Sequence, residues 1–216
     1  TSKLTDKQEN NLFAILHEII LKAEGGGSYS VVNPNDNNDG MSFGAIGFHQ
    51  SNAEAVLKQI AERVTDADDR AFLNKMVAAS RSTGGISDSD SKKLTAVLEK
   101  YAKISKEVQD SYAYSLYREA NFRKPMELFN NGTIKNPLSL IVPADILNTG
   151  AYLDTGLESF SSPGNTPEEI DAVVNKMTRD SYWATTGSRW RDEATSVKGL
   201  IGEVIDNYGG SWDKLY

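Results

Sequence analysis

The strongest constraint on the fold is a helical period that recurs along most of the chain. Thr5-Asp6-Lys7-Gln8 has the pattern of a capping box. Leu12, Ile15, Leu16, Ile19, Ile20 and Ala23 then follow at spacings that put them on one helix face. Such a stripe must be buried against another element, so the first helix commits the chain to a packed, multi-element fold. Glu24 stands at or just past the end of this helix, and Gly25-Gly26-Gly27 stops it. Ser51-Asn52-Ala53-Glu54 reads as a second capping box, opening a helix that carries Val56, Leu57, Ile60 and Val64. Further helical patterns run over Ala71 to Ala79, Lys92 to about Lys103, and Lys106 to about Phe129, where Asn130-Asn131-Gly132 closes the last. Ser139 to Leu147 reads as a short buried helix. Thr166-Pro167-Glu168-Glu169 starts another, and a final one covers Ser188 to Asn207.

One region departs from this period. Ser28 to Gly40 is a polar loop with the turn residues Asn33-Pro34-Asn35. Ser42 to Phe48 is a short apolar run broken by Gly44 and Gly47, which predicts a strand or hairpin with close backbone approaches at the glycines. Ser82 to Ser91, rich in Gly, Ser and Asp, reads as a mobile connection. The expectation is a mainly α (α+β) fold. We read residues 1–216 as a single domain, with a small lobe around 25–50, a helical lobe for most of the remainder, and a cleft between them.

Several function classes are excluded or disfavoured. The chain has no cysteine, so disulfides, thiolate metal sites and cysteine nucleophiles are absent. A net charge of −7 is the wrong sign for a duplex nucleic-acid footprint. No apolar run approaches the ~18 residues that span a bilayer. Thr1-Ser2-Lys3-Leu4 does not read as a signal peptide, and the chain reads as a mature product or an excised domain.

The chemistry-bearing residues cluster in the polar loop and beside it. Glycoside hydrolysis commonly uses two carboxyl groups in different surroundings, one protonated in an apolar setting and one ionised and wet. Glu24 ends an apolar helix, where an acid opposes the helix dipole and stability does not explain it. Asp36 and Asp39 lie in the polar loop. Asn35 to Gly40 also mimics the start of a calcium loop, but its twelfth position is Ile46 where a bidentate Glu is required. His17 and His49 show no paired metal-ligand spacing and read as satisfied or exposed histidines. No metal and no cofactor is implied. Sugar rings stack on aromatic faces, which brings in Tyr29, Phe43 and Phe48 near the acids, and Trp183, Trp190 and Trp212 further on. Arg189 and Arg191 flank Trp190 and could meet substrate carboxylates.

Taken together, Ala23-Glu24, Tyr29, Val32-Asn33-Pro34-Asn35-Asp36 and Gly40-Met41-Ser42-Phe43-Gly44-Ala45-Ile46-Gly47-Phe48-His49-Gln50 resemble the catalytic region of chitosanase-like glycoside hydrolases. These are the family 46 chitosanases and the related peptidoglycan-cleaving domains of phage and bacteria. The Gly-Ala-Ile-Gly-Phe segment is most like the chitosanases, and the Val-Asn-Pro-Asn-Asp segment is most like the peptidoglycan hydrolases. The resemblance covers about an eighth of the chain. Fainter echoes fall at Gln109 to Tyr117, Asp145 to Gly150 and Arg189-Trp190-Arg191.

This resemblance implies a lysozyme-like two-lobed fold, with the small β region beside the active-site cleft. It makes Glu24 the general acid. Asp36 is favoured as the second carboxylate, with Asp39, closer to Ser42, as the alternative. Ser42 would help hold the attacking water. Gln50, at the end of the motif, joins Tyr29, Phe43, Phe48 and Trp190 as substrate-binding. The expected reaction is inverting hydrolysis of a β-1,4-linked amino-sugar polymer, bacterial peptidoglycan before chitosan. The expected setting is extracellular or cell wall, as a phage virion or lysis protein, with a wall-targeting or phage structural module as partner. A lytic transglycosylase and a non-catalytic glycan-binding or structural domain are the alternatives.

Overall fold

Thr5 and Gln8 close a reciprocal cap. The Thr5 N–H donates to Gln8 Oε1 at 2.9 Å and the Gln8 N–H to Thr5 Oγ1 at 3.2 Å. Such a cap is worth about 1 kcal/mol. From it runs α1, Asp6–Ala23, whose Leu12, Ile15, Leu16, Ile19 and Ile20 are all buried. The computed structural model describes residues 4–23, 28–132, 137–141 and 144. The expected helices at Thr166 and from Ser188 to Asn207 lie outside the described residues, as do most of the residues from Ser139 to Leu147.

In chain order there follow β1 (Val32–Asn33), β2 (Ser42–Phe43), β3 (Phe48–His49), α2 (Gln50–Arg63), α3 (Ala67–Ala79), α4 (Asp88–Lys100), α5 (Ala102–Leu116), a π turn (Tyr117–Asn121), α6 (Arg123–Asn130) and a 3₁₀ turn (Pro137–Leu140). The described chain is mainly helical with one small antiparallel sheet of order β1-β2-β3. No described helix is long and apolar enough to cross a membrane. The chain divides into two compact units, Thr1–Ala23 with Tyr114–Tyr216, and Glu24–Ala113.

In the first unit, aromatic side chains surround a buried histidine. Phe13 lies with its ring centroid 5.3 Å from Phe122 and 6.2 Å from Tyr114. His17, 6% exposed, meets the Tyr117 hydroxyl through Nδ1 at 2.7 Å. The sequence predicts one unbroken helix from Lys106 to Phe129. The structure instead widens it at Tyr117–Asn121, where the Phe122 N–H reaches back to the Tyr117 carbonyl at 2.9 Å. Tyr117, Asn121 and Phe122 are all buried there. Asn121 Nδ2 donates to the Ala144 carbonyl at 2.9 Å.

In the second unit, α2 packs against α3 and against β2 and β3, while α4 packs against α3 and β1. Ala53, Val56, Leu57, Ile60 and Ala61 give α2 its buried face. The N-termini of α3 and α4 are capped by Asp66, which accepts from the Asp69 N–H at 2.8 Å, and by Ser87, which accepts from the Asp90 N–H at 3.1 Å. The expected box at Ser51-Asn52-Ala53-Glu54 does not form. α2 begins two residues earlier, directly from β3, and its N-cap His49 makes no side-chain cap. The expected mobile connection over Ser82 to Ser91 is also different. Its second half is the start of α4, and its first half is bonded to the acidic loop.

Candidate functional site

The three short strands sort their side chains into two rows. The register pairs Val32 with Phe43 and Asn33 with Ser42, then Phe43 with Phe48 and Ser42 with His49. Directly opposed residues project to the same face. Val32, Phe43 and Phe48 therefore form an apolar row, and Asn33, Ser42 and His49 a polar one. Phe43 and Phe48 are 1% and 3% exposed, with ring centroids 5.9 Å apart, and Tyr112 meets Phe48 edge-on at 5.8 Å. Their rings are spent on the core, so the sugar-stacking role read from the sequence has no exposed face there. Ser42 is also buried, at 7% exposure, whereas His49 is half-buried and Asn33 exposed.

Between β1 and β2 the chain carries Asp36 and Asp39 on a closed loop. The Asp36 N–H donates to the Gly40 carbonyl at 2.8 Å and the Asp39 N–H to the Asp36 carbonyl at 3.0 Å. Closing so tight a loop requires left-handed backbone, found at Asn37 (φ 53°) and Asn38 (φ 62°). Asparagine tolerates that region better than other residues with a side chain. A second loop clasps the first from outside. The Ile86 N–H donates to the Pro34 carbonyl at 2.8 Å and the Gly84 N–H to the Asn38 carbonyl at 3.4 Å. Gly85, at φ 77°, approaches so closely that a Cβ there would overlap the Pro34 carbonyl. From the sheet side, His49 Nε2 lies 2.9 Å and Gln50 Nε2 2.5 Å from the Asp39 carbonyl oxygen.

The loop main chain is thus held from the second loop and from the sheet side, while its carboxylates meet no counter-ion among the described residues. Asp36 is half-buried and takes one hydrogen bond, from Asn37 Nδ2 at 3.2 Å. Asp39 is exposed. Among the described residues neither pairs with a cation, in contrast to Asp69 with Lys100 and Asp110 with Lys106, each at 2.7 Å. An ionised carboxylate offers acceptors only, suited to sugar hydroxyls or to a proton from water. Among the described residues no three His, Asp or Glu side chains gather as a metal site.

The hairpin turn over residues 44–47 hangs on a helical glutamine. Gln109, 1% exposed on α5, accepts the Ala45 N–H at 3.0 Å through Oε1. Its Nε2 donates to the Tyr29 carbonyl and to Ser105 Oγ, both at 2.8 Å. Gly44, at φ 88°, makes room for it, since a Cβ would lie 2.5 Å from Gln109 Oε1. Gly47 shows no such close approach, having nothing within 4 Å of its Cβ position. Tyr29 is fixed at both ends. Its hydroxyl donates to Asp110 Oδ1 at 2.6 Å, and Lys106 Nζ stands 5.2 Å from its ring centroid. One part of the Tyr29 ring is therefore already engaged by a cation.

The structure brings together Tyr29, Asp36, Asp39, Ser42, His49 and Gln50 in the Glu24–Ala113 unit. Glu24 itself lies outside the described residues, as do Trp183, Arg189, Trp190, Arg191 and Trp212. Sequence reasoning missed Gln109, Asn33 and the role of His49. Asn33 and His49 stand inside the motif and the faint echo begins at Gln109, but the pairing that sets Asn33 and His49 beside Ser42 is given by the structure. Among known proteins, no family model, no curated protein and no solved structure matches this chain.

Proposed function

We propose that the chain is a glycoside hydrolase acting on a β-1,4-linked amino-sugar polymer, peptidoglycan before chitosan. The observation that carries the reading is the loop at residues 36–40. Its main chain is held by hydrogen bonds within the loop, from the second loop and from the sheet side, yet its two carboxylates meet no cation among the described residues. Rigid backbone beneath unneutralised acids is what precise placement of a water or a sugar hydroxyl requires. The sequence motif adds Glu24 as general acid. In the proposed step Glu24 gives its proton to the glycosidic oxygen as the C1–O bond breaks. A water attacks C1 from the opposite face, and its proton passes to Asp36, or to Asp39 in the alternative assignment. A lysozyme-like two-lobed fold and a setting at the cell wall belong to the same proposal.

The test is digestion of purified cell walls and soluble chitosan side by side, with products weighed by mass spectrometry. A hydrated reducing end on wall fragments is the expected result. Chitosan oligomers alone would shift the substrate, and an anhydro end would indicate a transglycosylase. No product from either polymer sinks the reading. Glu24→Gln should keep the fold and lose ~10²–10⁴-fold in rate, the usual worth of general acid–base catalysis. On a defined oligosaccharide, proton NMR of the first product should show the anomer opposite to the substrate linkage.

A further inference from the structure

One main-chain oxygen in the acidic loop receives two side-chain donors. The Asp39 carbonyl lies within hydrogen-bond reach of both His49 Nε2 and Gln50 Nε2. A carbonyl has two lone pairs, so these two donors fill it. Gln50 adopts φ 55°, left-handed backbone in a residue with no special tolerance for it, at the first position of α2. His49 is the residue paired with Ser42 across β2 and β3. A histidine that lines the polar row and a glutamine in an unfavoured conformation thus converge on one atom of the loop that carries Asp36 and Asp39.

We propose that His49 and Gln50 are positioning residues that lock the closed loop at residues 36–40 through the Asp39 carbonyl, and so set where the Asp36 and Asp39 carboxylates stand during the reaction. This rests on the glycosidase reading. The mechanical chain is short. The Asp39 peptide is tied forward to His49 and Gln50 and backward, through its N–H, to the Asp36 carbonyl. The Asp36 N–H is tied in turn to the Gly40 carbonyl. Releasing the Asp39 carbonyl frees a ring of contacts that includes both acids. A carbonyl oxygen only accepts, so in this bond His49 Nε2 carries the proton.

The experiment compares His49→Leu, His49→Gln and Gln50→Glu in the full chain. Turnover is measured on whichever soluble glycan the wild type cuts, and amide hydrogen exchange at Asp36 and Asp39 is measured by NMR. A glutamine side-chain amide reaches about where imidazole Nε2 sits, so His49→Gln keeps the donor. Gln50→Glu keeps size and shape and removes it. We expect His49→Leu and Gln50→Glu to lower kcat by about 10–100-fold, the scale of a misplaced catalytic group. KM should stay within about twofold, because an interaction serving the transition state is lost rather than uniform binding. The two amides should exchange about tenfold faster, the effect of one lost hydrogen bond. His49→Gln should restore both readouts. Unchanged kcat and exchange in folded variants overturn the proposal, as does failure of His49→Gln to rescue. Should His49→Leu not fold, the isosteric Gln50→Glu decides alone. Wild-type protein that cuts neither polymer overturns the glycosidase reading only, and the exchange rates still decide for or against the lock.

Discussion

Gln109 and His17 are both buried polar side chains on helices, one in each unit, and they are used in opposite ways. Gln109 spends its bonds mainly on backbone, the Ala45 N–H and the Tyr29 carbonyl, in a stretch with only two-residue strands. His17 spends its Nδ1 on the hydroxyl of another helical residue, Tyr117, among rings 5.7–5.8 Å away. The first supplies partners to irregular chain that secondary structure leaves unpaired. The second completes a packed helical core whose backbone is already satisfied. The same kind of residue is therefore architectural in one unit and mostly packing in the other, and substitutions should separate the two.

The largest effect should come from Gln109→Leu. It removes the bonds that Gln109 gives the Ala45 N–H and the Tyr29 carbonyl, at ~1–3 kcal/mol for each, so a loss of about 2–5 kcal/mol in urea unfolding is expected. Gly44→Ala should follow, at about 2–4 kcal/mol, because alanine is disfavoured at positive φ and its Cβ would press on Gln109 Oε1. The two changes strike one hub, so the double variant should lose less than the sum of the singles. Full additivity would break the comparison, since Gln109 and Gly44 would then act independently.

Tyr117→Phe tests the other side. It removes the hydroxyl and keeps the ring, so the aromatic packing stays and a loss of about 1 kcal/mol is expected. A loss as large as that of Gln109→Leu would mean that the His17–Tyr117 bond is as architectural as the glutamine.

How legible each region was in the sequence follows the same division. The cap at Thr5 and Gln8 and the stripe of α1 join residues a few positions apart, so local pattern reveals them. The box read at Ser51 fails because the start of α2 is set from far away. There His49 and Gln50 turn to Asp39, ten and eleven residues earlier. The Gly-Ser-Asp stretch from Ser82 looks like a mobile linker, because composition cannot tell a glycine that loosens a chain from one that admits a close neighbour. Gly85 against Pro34 is the second kind. Nearness to the acids and a place in the motif suggest Phe43 and Phe48 as substrate-binding residues. A hairpin turning over residues 44–47 pairs them directly, which puts both on one face, and that face is the core. Of the candidate site, Asp36, Asp39 and Ser42 are picked out in the sequence by the motif resemblance alone. The bonds that hold their loop are not, because they run to main-chain atoms, which carry no sequence signal.

The smallest expected effect comes from a polar contact that water shares, and it gives the comparison its lower limit. Asp69 accepts from Lys100 Nζ at 2.7 Å and from the Tyr101 hydroxyl at 2.6 Å, linking α3 to the end of α4. Hydrogen bonds from Lys100 first, and then from Tyr101, hold the Asp69 carboxyl below its ordinary value of 3.8. The bond to Asp69 raises Lys100 above 10.5, and the bond to Asp69, followed by burial, raises Tyr101 above 10.0. The signs follow from linkage. A depressed carboxyl stabilises the fold fully above its unfolded value and stops doing so as pH falls through the lower, folded one. A raised lysine or tyrosine stabilises the fold below its unfolded value and stops doing so as pH rises through the higher, folded one. The contribution of this trio should therefore be flat across neutral pH, fall away on the acid side below about pH 4 and on the alkaline side above about pH 10. Water competes for these charges, so the amplitude should be well under that of either buried residue. Thermal melts of wild type and Asp69→Asn across pH measure it. The two curves should run parallel at neutral pH, with the wild type higher, and converge at both extremes. Convergence on the acid side alone would show that Lys100 and Tyr101 find other partners once Asp69 is gone. A gap at neutral pH as large as that of Gln109→Leu would mean that an exposed ion pair holds this unit as firmly as its buried glutamine does.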